Sequence, residues 1–314
     1  MANHEHSGME DRSSAGDRPQ SLPRLLLREL RLHQWVKNVL VFLPFILAHE
    51  WDITDKWISA VYAFFSFSLV ASSVYVVNDI WDREADRRHP TKRYRPIASG
   101  ALSLRVAWIT VPIVLLGGLS LGWFLISPKF AGVLLLYGLV NCSYTFYLKR
   151  KVMLDVLILA GLYTTRLYGG AVATQVEISE WLMGFSLFFF LSLALIKRYT
   201  ELMDRKDDDA GIRSSRGYEA GDLNLLMSTG ISSGLISVLI FALYLNSETV
   251  RQMYVLPPLL WLITPVLIYW IMRMWSVAIR GNMHDDPVVF AVRDWVSVSC
   301  GVLILALLFL STQL

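Results

Sequence analysis

Residues 57–86 read WISAVYAFFSFSLVASSVYVVNDIWDREAD. From Trp57 to Asn78 no side chain carries a charge, and the run then breaks into Asp79, Asp82, Arg83, Glu84 and Asp86. About 20 apolar residues in a helix cross the hydrocarbon of a bilayer, so the first part reads as a span and the second as its exit into water. The pattern recurs along the chain. Predicted spans cover 36–49, 57–78, 104–126, 130–147, 152–173, 181–202, 225–246, 253–273 and 293–312. The first has a fully apolar core only from Val39 to Ala48 and contains Pro44, which favours a tilt or kink. Backbone exposed to lipid must satisfy its own hydrogen bonds, so the expected fold is an all-α polytopic membrane bundle of about nine transmembrane helices.

Composition points the same way. Of 314 residues, 54% are hydrophobic and only 18% charged, which excludes an ordinary soluble domain. Residues 1–23 are polar, lack the apolar core of a signal peptide and are expected to form a disordered cytoplasmic tail, leaving 24–314 as the transmembrane domain. Cys142 and Cys300 both fall in apolar segments, where cysteine is usually a small buried hydrophobe. With the N-terminus inside, 25 of the 29 Lys and Arg residues fall on the cytoplasmic side; the other side receives Lys56, Lys129 and Arg251, and Arg166 lies within a span. That bias predicts a cytoplasmic N-terminus and an odd number of spans. The cytoplasmic loops 79–103, 203–224 and 274–292 are long for a compact bundle, which marks them as functional or disordered.

In the first of these loops, a helix continued past Asn78 would place Asn78, Asp82, Asp86 and Asp79 at about 0°, 40°, 80° and 100° around its axis, on one face. Like charges so placed repel, and desolvation at a bilayer edge adds to the cost. One resolution is ion pairing with Arg83, Arg87 and Arg88. Another is a hard cation: Mg²⁺ takes carboxylate and amide oxygens and keeps positions open for phosphate, which makes Asn78, Asp82 and Asp86 candidate metal ligands and Asp79 a catalytic neighbour. Lys92, Arg93 and Arg95 follow directly. Beside a metal they suit a polyanionic phosphate substrate, although juxtamembrane basic residues also serve simple attraction to anionic lipid.

These residues resemble the UbiA superfamily of intramembrane prenyltransferases, whose first aspartate-rich motif reads Asn-Asp-x-x-Asp-x-x-x-Asp; Asn78, Asp79, Asp82 and Asp86 match it in full. Within the superfamily the likeness is to the branch that joins phosphoribosyl diphosphate to a polyprenyl phosphate. It runs from Gln34-Trp35-Val36-Lys37-Asn38, through His89-Pro90-Thr91-Lys92-Arg93-Tyr94-Arg95-Pro96-Ile97-Ala98 and Lys197-Arg198-Tyr199-Thr200-Glu201-Leu202, to Asp285-Asp286-Pro287-Val288-Val289-Phe290. Aromatic prenyltransferases carry a second aspartate-rich motif where this chain has Lys197-Arg198-Tyr199-Thr200-Glu201. Asp204, Asp207, Asp208 and Asp209 follow and keep a disguised second metal site open.

The resemblance implies a Mg²⁺-dependent pentosyl transferase, with Mn²⁺ as a substitute, in a bacterial cytoplasmic membrane with its active site facing the cytoplasm. Its partners would be phosphoribosyl diphosphate, a polyprenyl phosphate lipid and the membrane, with no nucleic acid; a homo-oligomer is compatible with the sequence. Lys197 and Glu201 lie one helical turn apart, in the geometry of a simple salt bridge; in the functional reading Lys197 and Arg198 hold donor phosphates while Glu201 positions them or accepts a ribose hydroxyl. Tyr199 falls in the same segment. Arg166, an intramembrane cation, is a functional candidate by default, with Asp155 as helper. Lys37, Asn38 and Tyr218 complete the expected substrate-binding set. Two other readings remain: an aromatic polyprenyltransferase using a prenyl diphosphate, and a lipid or ion transporter, which would place functional charges deep in several spans.

Overall fold

The computed structural model describes residues 21–206, 217–283 and 286–313. Asp207, Asp208, Asp209 and Asp285 lie outside the described residues, as do residues 1–20 of the expected tail. Every regular element among the described residues is helical.

A short amphipathic helix, α1 (Leu22–Glu29), starts the described chain two residues inside the expected tail. Its apolar Leu25 packs with Val76, Ile97 and Leu102, while Leu22 and Leu27 remain exposed beside Arg24 and Arg28, the distribution of a helix lying in a membrane interface. The first predicted span is a 3₁₀ helix, Leu32–Phe42, continued by α2 (Leu43–Leu47). Pro44 sits in the first turn of α2, where its missing N–H costs no helical bond. At roughly 2.0 Å per residue for 3₁₀ and 1.5 Å for α, these 16 residues reach about 30 Å.

Next come α3 (Thr54–Trp81), α4 (Arg83–Arg88) and α5 (Pro96–Ser99), then α6 (Leu104–Leu125), α7 (Pro128–Phe146) and α8 (Leu154–Thr174). The second half holds α9 (Glu180–Lys206), α10 (Leu223–Leu245), α11 (Glu248–Met253), α12 (Ile263–Ile279), α13 (Pro287–Arg293) and α14 (Trp295–Gln313). Among the described residues seven segments are long and apolar enough to cross a membrane: those built on α3, α6, α8, α9, α10, α12 and α14. The predicted segment 130–147 is present as α7, but Tyr137, Asn141, Ser143, Tyr144 and Thr145 dilute its apolarity. Two of those residues, Tyr137 and Tyr144, serve the site described below.

Two cores share α8. One joins the 3₁₀ helix, α3, α7 and α8 around Phe67, Phe130, Leu134 and Tyr137; the other joins α8, α9, α10, α12 and α14 around Leu195, Leu226, Met274 and Trp275. In lipid, close approach rather than a hydrophobic drive holds helices together, so glycine marks the tightest seams. A Cβ on Gly170 of α8 would come within 2.2 Å of the Val41 carbonyl oxygen, and one on Gly230 of α10 within 2.0 Å of the Trp275 ring. The first seam seats the 3₁₀ helix, with Lys37 and Asn38, against α8.

Candidate active site

The helix bearing the aspartate motif does not run straight on. It ends at Trp81; Asp82 (φ −86°, ψ 4°) caps it and leads into α4. The Asp82 N–H still donates to the Asn78 carbonyl and the Asp86 N–H to the Asp82 carbonyl, each at 2.8 Å, so the expected face survives the break. The charges there are balanced in two groups. Lys149 donates to both Asp82 oxygens (2.8 and 2.7 Å) and reaches Asn78 Oδ1 at 3.5 Å. Arg95 bridges Asp79 (2.9 Å) and Asp86 (2.6 Å), and Arg31 donates to both Asp79 oxygens at 2.5 and 2.7 Å.

Arg83, Arg87 and Arg88 are the cations that the ion-pairing alternative assigns to this face. Instead Arg87 bonds Glu84 and the Ala98 carbonyl, and Arg83 approaches Glu84. Lys92 is half-buried within electrostatic reach of Asp86, whereas Arg93 lies over the exposed Tyr94 ring and donates to its hydroxyl. Burial pushes the Asp86 carboxyl above its ordinary range despite Arg95.

Glu29, at the end of α1, adds a fifth oxygen-bearing group that sequence reading missed. The residue is 2% exposed, and among the described residues no N–H or O–H reaches either carboxylate oxygen. Burial first, and then the Asp79 carboxylate beside it, push its pKa up to about 8, which favours the protonated form of Glu29 near neutral pH.

A second, basic group lies around the 3₁₀ helix, α8 and α9. Lys37 and Lys197 both donate to Asp286 Oδ2 at 2.9 Å. Burial alone would raise the Asp286 carboxyl, but the two ammonium groups hold it well below the usual carboxylate range. Deeper still, Arg166 is 5% exposed and bonds only neutral described partners: Asn38 Oδ1 (2.8 Å), the Leu162 carbonyl (2.7 Å) and the Tyr137 hydroxyl (2.6 Å). Its guanidinium stands over the rings of Tyr137 and Tyr163, and the Lys37 ammonium also stands over the Tyr163 ring, 5.8 Å from its centroid. Tyr75, on the helix that bears the aspartate motif, carries Arg31 over its ring at 5.3 Å.

Other predicted residues are placed differently. Arg198 is buried and bonded through all three nitrogens, to Asp155 (2.5 Å), Glu201 and the Tyr144 hydroxyl (3.0 Å). Lys197 thus pairs with Asp286, and it is Arg198 that meets Glu201. The Tyr218 hydroxyl donates to Asp155 at 2.5 Å and accepts from the Met153 N–H at 2.9 Å, which fastens the chain after the 207–216 segment to the start of α8. The Tyr199 ring packs edge-on against Trp275 in the core, 5.9 Å between centroids, and does not join the charged groups.

Asn78, Asp82 and Asp86 supply an amide oxygen and two carboxylates, the hard donors Mg²⁺ prefers. Among the described residues no three His, Cys, Asp or Glu side chains form a metal-holding group by themselves. Mg²⁺ is ordinarily held by one or two carboxylates with phosphate and water completing the shell, so this donor set fits a metal that is bound together with a diphosphate.

The fold and these charged groups define a polytopic helical membrane protein with an aspartate-lined helix end and a lysine-arginine group. A sequence model of the UbiA prenyltransferase family matches residues 39–311, and the chain belongs to that family. It is 38% identical to the y4nM protein of Sinorhizobium fredii over 88% of its own length, spanning about half (54%) of that protein. It is 34% identical to nodulation protein NoeC of Azorhizobium caulinodans, covering 86% of this chain and 87% of that one. Decaprenyl-phosphate phosphoribosyltransferase of Mycolicibacterium smegmatis is 30% identical, with 92% of each covered. In fold, the chain is similar to a UbiA homologue of Archaeoglobus fulgidus bound to GPP and Mg²⁺ (TM-score 0.66, 15% identity, 92% of this chain and 100% of that one).

Proposed function

We propose that this protein transfers the 5-phosphoribosyl group of phosphoribosyl diphosphate to a polyprenyl phosphate and releases pyrophosphate, with Mg²⁺ bound by Asn78, Asp82 and Asp86. In the same reading nine segments cross the bacterial cytoplasmic membrane, the N-terminus is inside and the chamber opens to the cytoplasm. The observation that carries the proposal is the chemical asymmetry of the chamber: carboxylates at one group, Lys37, Lys197 and Arg166 at the other. Phosphoribosyl diphosphate has charge at both ends, a diphosphate on C1 and a phosphate on C5, and this pairing of groups suits it. A prenyl diphosphate has one charged head only. The similarity to a decaprenyl-phosphate phosphoribosyltransferase supports the same choice.

When bound, Mg²⁺ would neutralise charge on the departing pyrophosphate. Lys149 and Arg95, now on the carboxylates, stand ready to meet diphosphate oxygens. Lys37 and Lys197 take the 5-phosphate. The bond from C1 to the pyrophosphate oxygen breaks with its electron pair leaving on pyrophosphate, and an acceptor phosphate oxygen forms the new bond to C1. That phosphate is already anionic near neutral pH, so no protein base is needed. Its isoprenoid tail lies among the spans.

The test is product identification by mass. Purified protein with Mg²⁺, phosphoribosyl diphosphate and polyprenyl phosphate is expected to give a polyprenyl phosphoribosyl lipid and pyrophosphate. A prenyl diphosphate with 4-hydroxybenzoate is expected to give nothing; a prenylated ring from that pair alone would overturn the reading in favour of aromatic prenyl transfer.

A further inference from the structure

Asp286 is out of place in a pocket for phosphate. It stands between the ammonium groups of Lys37 and Lys197, with its side chain 12% exposed. A carboxylate there lowers the attraction of both lysines for an anion and repels the anion directly. Neutralising the two lysines does not demand it, since the site holds excess positive charge even so: two lysines to one carboxylate, with Arg166 nearby bonded to neutral groups.

The carboxylate is also held firmly. Asp286 caps α13, its Oδ1 accepting the Val288 N–H at 3.2 Å, while Oδ2 takes Lys37 from the 3₁₀ helix and Lys197 from α9. An ionised carboxylate has about four lone-pair sites, of which these contacts use three. Among the described residues no fourth donor reaches it. A pentose phosphate would bring one, because its ring hydroxyls lie beside the 5-phosphate and are donors that phosphate oxygens cannot replace.

We propose that Asp286 is a specificity-determining residue that accepts a ribose hydroxyl of the donor while Lys37 and Lys197 hold the neighbouring phosphate. The inference rests on the reading of phosphoribosyl diphosphate as donor. It assigns the choice of a sugar over a prenyl group to one carboxylate: a prenyl donor has neither a 5-phosphate for Lys37 and Lys197 nor a hydroxyl for Asp286. Sites built to hydrogen-bond a hydroxyl reject analogues that lack it far more strongly than apolar pockets reject a misfit.

The experiment crosses a change in the residue with a change in the ligand, so that the coupling between them is isolated. Binding of phosphoribosyl diphosphate and of its 2-deoxy and 3-deoxy analogues is measured by calorimetry, in Mg²⁺, for wild type, Asp286→Ala and Asp286→Asn. A hydroxyl donating to a carboxylate is worth roughly 10- to 100-fold in affinity. Wild type is expected to lose that factor on removal of one of the two hydroxyls, and Asp286→Ala to lose less than about threefold for the same removal. Asp286→Asn, which keeps the shape and one acceptor oxygen, is expected to fall between them, and it decides the matter alone if the alanine variant does not fold. A residue that merely spaced the lysines would change affinity for all three ligands by the same factor. Equal hydroxyl dependence in wild type and variants, or none in wild type, overturns the role of Asp286 while leaving the donor intact. Failure of wild type to bind phosphoribosyl diphosphate at all overturns the donor reading and this inference with it.

Discussion

Asp82 and Glu29 show how differently two carboxyls of one chamber behave. Asp82 keeps 28% of its side chain exposed and, among the described residues, pairs with Lys149, so its loss would remove one ligand of the proposed metal site without opening a buried ion network. Asp82→Ala is expected to reduce Mg²⁺-dependent turnover at least about 100-fold while shifting stability by no more than about 1 kcal/mol, as for a partly exposed pair. Turnover assays and thermal unfolding in detergent check the two halves separately, and near wild-type turnover would remove Asp82 from the metal site. Glu29 is the opposite case. Its pKa is raised from 4.5 to about 8, so the folded protein keeps a proton that the unfolded chain has lost. The resulting stabilisation is complete below about pH 4.5 and is lost as pH climbs towards 8. The unfolding temperature should therefore fall over pH 5–8 in wild type, and Glu29→Gln, which carries no titrating proton, should flatten that slope. An equal slope in both proteins would show that Glu29 does not titrate in this window.

At the level of elements, the chamber depends on where the 3₁₀ helix is seated. That helix carries Lys37 and Asn38, and its Val41 backbone lies so close to Gly170 of α8 that an added methyl would meet the carbonyl oxygen at 2.2 Å and two further backbone atoms at 2.8 Å. A backbone cannot swing aside as a side chain can, so Gly170→Ala has to push the two helices apart. The expected cost is about 1–3 kcal/mol, with activity falling as Lys37 and Asn38 leave Asp286 and Arg166. Gly117→Ala in α6, where nothing lies within 4 Å, serves as the control. It should be neutral or stabilising by up to about 1 kcal/mol through helix propensity alone. Paired unfolding and activity measurements test both; a harmless Gly170→Ala would mean that the seam is looser than this packing.

On the scale of the whole molecule, Tyr94 is 60% exposed in the loop after the aspartate motif and Lys129 is exposed at the turn between α6 and α7. If the N-terminus is cytoplasmic, a cysteine at Tyr94 in a chain freed of Cys142 and Cys300 should react with an impermeant maleimide only after cells are opened. A cysteine at Lys129 should react in intact cells. The reverse labelling would invert the proposed topology.

The sequence by itself determined the helical class and most helix positions, because an apolar run of bilayer length has few other ways to satisfy its backbone. It also determined the aspartate face, since Asn78, Asp82 and Asp86 are related by local helical spacing that survives the break at Asp82. It marked the first span as short and bent at Pro44 but carried no sign that Leu32–Phe42 is a 3₁₀ helix, and Tyr199 carried no mark of the core contact with Trp275. Lys149 and Arg31 registered in the sequence only as positive charge in loops and tail, although one neutralises Asp82 and the other Asp79. Only the tertiary structure decided these pairings. Lys37 and Asp286 are 249 positions apart, and Arg166 and Asn38 are 128 apart. No period along the chain relates such residues. They meet because small residues let the helices that carry them approach closely, and because burial then obliges each charge to find whichever partner that packing brings within reach.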